Sequence, residues 1–231
     1  MAAQTSPPMG ERLMRAALDG SAPGCVCAGT RAQGEAATSI TQEAAVAQAV
    51  DPSPVKLIMG LIIAGEAPVD GARQHLEASH GKIDLETARS PFVATRYYER
   101  EMGPQLSRMF WSFEPLIAPD ALAGIKRQTN LLERTLAWWD GQCWRRHVNL
   151  DPGYVDLAKL VLATTKDRQH RLYLGQGIYG EVTLRFTAGR FVPWEWTYPD
   201  YRTPEYLAFF DAVRRRYRQQ LTAHDAEPHH V

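Results

Sequence analysis

The segment that most limits what this chain can fold into is Val55–Ala64, VKLIMGLIIA, where the sequence turns abruptly apolar after Pro54. Apart from Lys56 it is apolar and partly β-branched, the pattern of a strand buried on both faces. Its longest uninterrupted apolar run, Leu57–Ala64 with a glycine inside it, falls well short of the roughly 18 residues of a membrane span. The first residues lack the charged start and apolar middle of a signal peptide. Cys25, Cys27 and Cys143 make neither a disulfide framework nor a zinc-site spacing. The expectation is a cytoplasmic protein without a membrane segment.

Residues 1–54 are rich in Ala, Gly, Ser, Thr, Pro and Gln and carry no aromatic residue. Such a stretch buries too little apolar surface to offset chain entropy, so disorder is expected there, with transient helices over Glu11–Leu18 and Gln42–Val50. The formal net charge is zero, yet residues 1–51 hold three basic and five acidic groups and residues 223–231 two acidic ones. The remainder therefore carries 23 basic against 19 acidic groups, a mild excess that suits an anionic ligand and is too small for a dedicated nucleic-acid binder.

From Val69 to His80 the pattern predicts a helix, with Asp70 as cap and Gly81 as stop. Lys82–Thr87 alternates as a strand exposed on one side, and Leu106–Ile117 is a third strand with Met109, Trp111 and Phe113 on one face. Asp120 caps a helix expected to run to Trp139, burying Leu122, Ile125, Leu132, Leu136 and Trp139 and turning Lys126, Arg127, Glu133 and Arg134 outward. A fourth strand, Arg146–Leu150, should end in a turn at Asp151-Pro152-Gly153-Tyr154, while Val155–Thr165 fits either strand or helix. Strands follow at His170–Leu174 and Glu181–Thr187. Ala188-Gly189 turns the chain into Arg190–Thr197 as a hairpin. Thr203 and Pro204 then open a helix to about Leu221, with Tyr206, Phe210, Val213 and Tyr217 buried. The fold class is α+β: a mixed or antiparallel sheet with a ferredoxin-like β-α-β-β-α-β start, an added β-hairpin and a C-terminal helix. One domain over 55–221 is expected, flanked by a flexible tail at 222–231.

Chemistry concentrates between Arg145 and Tyr201. In the hairpin register Phe186 opposes Phe191, Thr183 opposes Trp194 and Glu181 opposes Trp196. Val182, Leu184, Phe186 and Phe191 then share one face, and Glu181, Thr183, Arg185, Trp194 and Trp196 the other. That second face suits the floor of a planar or phosphorylated ligand, though a covering helix or the N-terminal tail would also explain the tryptophans. Asp151 on its turn is either a functional carboxylate or a turn former. Thr164–Arg171 packs two hydroxyls, three cations and His170 together, as in anion capture or in a solvated loop. Tyr198-Pro199-Asp200-Tyr201 is a lid or a connector. No GxxxxGK[ST] and no GxSxG occurs, which removes familiar nucleoside triphosphatase and serine-hydrolase chemistry.

The strings KLIMGLI, GKIDLETARSPF, YYEREMG, SFEPLI, NLDPGY, LAKLVLATTKD, HRLYLGQGIYGEVTL and WTYPDYR together resemble the bacterial and archaeal family called domain of unknown function 4416, over about Val55–Leu221. The resemblance implies no particular activity. The GTP-binding role attached to some members has no P-loop to rest on in this chain.

The functional expectation is a domain that binds or acts on a small anionic metabolite, such as a nucleotide. Asp151, His170 and Glu181 are the acid–base candidates, and no spacing demands a metal. Lys166, Arg171, Tyr173, Thr183, Trp194, Trp196, Tyr198 and Asp200 are the ligand-binding candidates. The rivals are an RNA-binding module that stacks bases on sheet aromatics, and a structural domain without activity. The sequence names no cofactor and no oligomeric state.

Overall fold

The computed structural model describes residues 46–226. The disorder expected before Val46, the helix at Glu11–Leu18 and the last five residues of the tail lie outside them. The helix expected over Gln42–Val50 is absent where the chain is described, since Val46–Pro54 is irregular and exposed.

Ten residues of β1 (Val55–Ala64) form the middle of the sheet, and all but the last are buried. Around it run α1 (Asp70–His80), β2 (Ile83–Glu86), β3 (Ser90–Pro91), α2 (Glu99–Met102), β4 (Leu106–Ile117) and α3 (Leu122–Thr135). They are followed by β5 (Trp138–Trp139), β6 (Trp144–Arg145), β7 (Val148–Val155), β8 (Lys159–Thr164), β9 (Leu172–Gly175), β10 (Ile178–Thr187), β11 (Arg190–Pro193) and α4 (Pro204–Ala226). The sheet order is β11-β10-β8-β7-β1-β4-β2, and every pairing in it is antiparallel. β3 pairs with β4 and β9 with β10 at the margins.

Alternation along the central strands sends the two faces into different cores. Leu57, Met59, Leu61 and Ile63 meet Trp111, Phe113 and Leu150 beneath α1 and α3. Ile58, Phe110, Leu160, Leu162 and Leu184 meet Tyr206, Phe210 and Val213 of α4 on the opposite side. Two helices therefore lie on one face and the C-terminal helix on the other. Thr203 Oγ accepts the Tyr206 amide at 3.4 Å, the expected cap, and α4 continues past Leu221 to Ala226.

Several local expectations are corrected. Asp151-Pro152-Gly153-Tyr154 is not a turn but the second half of β7, paired with β1 throughout. Proline is tolerated because β8 begins pairing only at Gly153, so Pro152 interrupts no ladder on that side. Gly153 lets β8 approach: a Cβ there would sit 2.4 Å from the Val161 carbonyl oxygen. Helix α3 stops at Thr135, and Trp138–Trp139 pair instead with Trp144–Arg145 in a small exposed hairpin. Neither Asp70 nor Asp120 makes a side-chain cap: Asp70 is the first residue of its helix, after Val69, and Asp120 the second of the short turn Pro119–Ala121.

Lys126 and Glu133, expected to face outward, are buried, because their seven-residue spacing keeps them on one stripe of α3 that faces the sheet. The expected open side of β2 is covered at Asp84, while Glu86 stays exposed. Asp84 there accepts from Ser112 Oγ at 2.5 Å and from the fully buried Lys56 Nζ at 2.6 Å, with α4 Arg216 at 3.6 Å. The β10–β11 turn at Ala188-Gly189 forms as expected, with φ of 48° and 78° and with Phe186 opposite Phe191. β11, however, ends at Pro193, and a bulge between Val182 and Leu184 breaks the alternation of β10. Val182 packs toward α3 and Leu184 toward α4, so the single apolar face expected of this strand is divided.

Candidate functional site

β7 and β8 pair only over Gly153–Val155 and then diverge, which leaves the backbone of Leu150 without a strand partner on that side. Helix α3 fills the vacancy. Glu133 Oε1 accepts the Leu150 amide at 2.7 Å, and Lys126 Nζ donates to the Leu150 carbonyl at 2.7 Å. Two charged side chains thus stand in for a missing strand, and the split in the sheet becomes a cavity of about 680 Å³. It is walled by β7, β8, α3, the loops around Tyr97 and Lys166, and the Trp196–Tyr201 segment.

The floor is a linked set of charges. Arg108 on β4, 2% exposed, lies across β1 at Gly60, where a Cβ would come within 2.8 Å of its Nη2. Its Nη1 is 3.4 Å from Asp151 Oδ2, its Nε 3.2 Å from Asp200 Oδ2, and Nη2 donates to Tyr201 Oη at 2.7 Å. The Phe110 ring stacks against this guanidinium at 4.6 Å. Lys126 Nζ reaches the other Asp151 oxygen at 3.4 Å, and Asn149 Nδ2 donates to Asp151 at 2.9 Å. Arg146 bridges Glu133 at 2.6 Å and Glu101 at 2.7 Å.

Burial pushes the Asp151 carboxyl up, but Lys126, Arg108 and the Asn149 amide outweigh it and hold the group below the usual carboxylate range. Asp200 and Glu133 go the other way. Burial raises both beyond what Arg108 and Lys126, respectively, recover. The Tyr201, Tyr98 and Tyr198 phenols are also raised, chiefly by burial, and stay protonated as donors.

A second group hangs over the floor. Glu181 on β10, 2% exposed, accepts from Arg171 Nε at 2.8 Å and contacts His170 Nε2 at 3.1 Å. His170 lies in the loop before β9 rather than in a strand, and its ring stacks on Trp196 at 5.2 Å. Trp194 continues the stack on Trp196 at 5.1 Å, and Arg185 closes it 4.2 Å from Trp194. Arg171 Nη2 also donates to Tyr198 Oη at 2.8 Å. Glu181 and Trp196 together fix the orientation of the His170 ring.

Of the residues singled out in sequence, Asp151, His170, Glu181, Lys166, Arg171, Trp196, Tyr198 and Asp200 line this one cavity. Tyr173, Thr183 and Trp194 do not. Tyr173 is exposed on the edge strand β9, where its Oη accepts the Gly177 amide at 3.2 Å. Thr183 sits at the β10 bulge, fully buried, with its carbonyl accepting Thr197 Oγ at 2.6 Å. Trp194 falls past the end of β11, so it backs Trp196 instead of facing a ligand. Arg108, Lys126, Glu133, Arg146 and Asn149 line the cavity and were not selected from sequence. For Lys126 and Glu133 a signal existed: they flank Thr129 at helical spacing on the stripe that holds Leu122, Ile125 and Leu132.

Among the described residues no three His, Cys, Asp or Glu side chains converge as a metal site, and no helix is long and apolar enough to cross a membrane. No curated protein and no solved structure matches the chain. A family model does match, over residues 53–217, which takes in β1 through most of α4 and every wall of the cavity. By that match the chain belongs to the family described as Domain of unknown function (DUF4416).

Proposed function

We propose that this domain binds, and acts by proton transfer on, a small anionic metabolite in the cavity between β7 and β8. The observation that carries the reading is the convergence of Asp151, His170, Glu181, Arg108, Lys126 and Arg171 on a single cavity of about 680 Å³. Ionised groups are costly to desolvate, and such clusters in a concave site characterise ligand and catalytic pockets. A nucleotide or sugar phosphate fits within the usual pocket range of roughly 300–1,000 Å³. In this reading His170 carries the proton, Glu181 orients it, and Asp151, kept ionised, steadies positive charge or accepts a hydrogen bond. The RNA alternative needs an open sheet face, and here α1 with α3 covers one face and α4 the other.

A thermal-shift screen of the full chain against nucleotides, sugar phosphates, carboxylates and divalent cations tests this. A selective ligand at 100 times its Kd stabilises by about 2.7 kcal/mol, a shift of roughly 5–10 °C for a chain of this size. The shift should shrink in Glu181→Gln and His170→Ala. Failure of every anion to raise Tm, or equal shifts in those variants, would discard the proposal.

A further inference from the structure

The charges on the cavity wall do not balance, and the imbalance lies at one end. Six cations line it, Arg108, Lys126, Arg146, Lys166, Arg168 and Arg171, against four carboxylates, Glu133, Asp151, Glu181 and Asp200. Every carboxylate has a cationic partner: on the floor Asp151 and Asp200 are matched by Arg108 and Lys126 and Glu133 by Arg146, and above it Glu181 is matched by Arg171. The two remaining cations, Lys166 and Arg168, are exposed at the mouth and make no ion pair among the described residues. Lys166 Nζ rests only on the Tyr97 ring, at 3.9 Å. Thr164 at the end of β8 and Thr165 just after it also line the wall, whereas Asp167 does not.

From this we infer the class and the orientation of the ligand: a phosphate monoester whose phosphate is held by Thr164, Thr165, Lys166 and Arg168. Its uncharged, hydroxyl-bearing part reaches inward to Asn130, Asn149 and Asp151. A phosphate monoester carries about −1.5 to −2 at neutral pH and presents three acceptor oxygens, which matches two unpaired cations beside two hydroxyls. The floor is already neutral, and its carboxylates would repel a second anionic end. A dicarboxylate, or a molecule with an anion at each end, is therefore disfavoured. The inference rests on the reading of the cavity as an anion-binding site.

The test is calorimetric titration of the full chain with adenosine monophosphate, ribose 5-phosphate, succinate and adenosine at fixed low salt. Wild type is compared with a Lys166→Gln/Arg168→Gln double variant. At least one phosphate monoester should bind at least about tenfold more tightly than succinate and adenosine, and the double variant should lose roughly tenfold per cation. Both side chains are exposed, so the variant should unfold like wild type. If it does not, the two single variants carry the same comparison. Binding of a phosphate monoester that is unchanged in the variants, or succinate binding as tightly, overturns this inference and leaves the anion-binding cavity standing. Failure of all four probes, together with a flat thermal-shift screen, overturns both.

Discussion

Lys126→Met removes the cation that stands in for a strand, and the structure sets the size of the loss. The ammonium donates to the Leu150 carbonyl at 2.7 Å, a charge-assisted bond worth about 1.5–3 kcal/mol. It also lies 3.4 Å from Asp151, where an effective dielectric near 20 gives about 5 kcal/mol of attraction. Against this stands the desolvation of a side chain only 7% exposed, itself several kcal/mol, which methionine does not incur. Asp151 keeps Arg108 and Asn149 as partners and is a quarter exposed, so the orphaned charge is only partly stranded. The net expectation is about 2–4 kcal/mol of lost stability at pH 7.

The pH dependence separates this account from simple loss of packing. The folded Asp151 carboxyl titrates below its unfolded value. Its stabilisation is therefore present above the unfolded pKa of about 3.9 and disappears as pH falls through the folded one. Glu133 is shifted the opposite way by burial, with Lys126 pulling it back. Loss of Lys126 drives Glu133 further up, which adds a penalty at neutral pH and none in acid. Both effects make the cost of the substitution larger at pH 7 than at pH 3, where the bond to the Leu150 carbonyl still remains. Urea unfolding of the two proteins across that range measures it. A difference below about 1 kcal/mol at pH 7, or one that does not change with pH, would refute the electrostatic role assigned to Lys126.

Two further substitutions bear on the backbone that forms the site. Gly153→Ala should cost roughly 3 kcal/mol or more in chemical denaturation, because its Cβ would meet the Val161 carbonyl at 2.4 Å. A loss below 1 kcal/mol would instead fit the loose Asp-Pro-Gly turn that β7 replaces. Gly60→Ala should destabilise by about 1–3 kcal/mol, since the new methyl contacts Arg108, Tyr201 and Phe110 at 2.8–3.1 Å. It should also weaken any ligand that raises the wild-type Tm, as Arg108 is displaced from Asp151 and Asp200. Unaltered ligand-induced shifts in Gly60→Ala would detach Arg108 from the binding site.

Local pattern made much of this molecule legible. VKLIMGLIIA read as an inner strand and Ala188-Gly189 as a hairpin turn, and Thr203-Pro204 opened α4 where the pattern put it. These features depend on neighbours in sequence, on side-chain period and on backbone conformational cost. The density of charge between Arg145 and Tyr201 likewise drew attention to residues that line one part of the cavity, since polar groups set among strands need partners.

Which strand edges are left open belongs to the tertiary structure alone. Asp-Pro-Gly reads as a turn until β8 is known to pair only from Gly153 onward, and then it is a strand. Lys126 and Glu133 read as a solvated face until the unpaired backbone of Leu150 is there to receive them. Arg108 was hidden inside an apolar strand, and its role depends on Gly60 of the adjacent strand leaving room for a guanidinium. Helix, strand and turn are written in short-range periodicity. A cavity is written in the mismatch between strands far apart in the chain, and no local pattern encodes it.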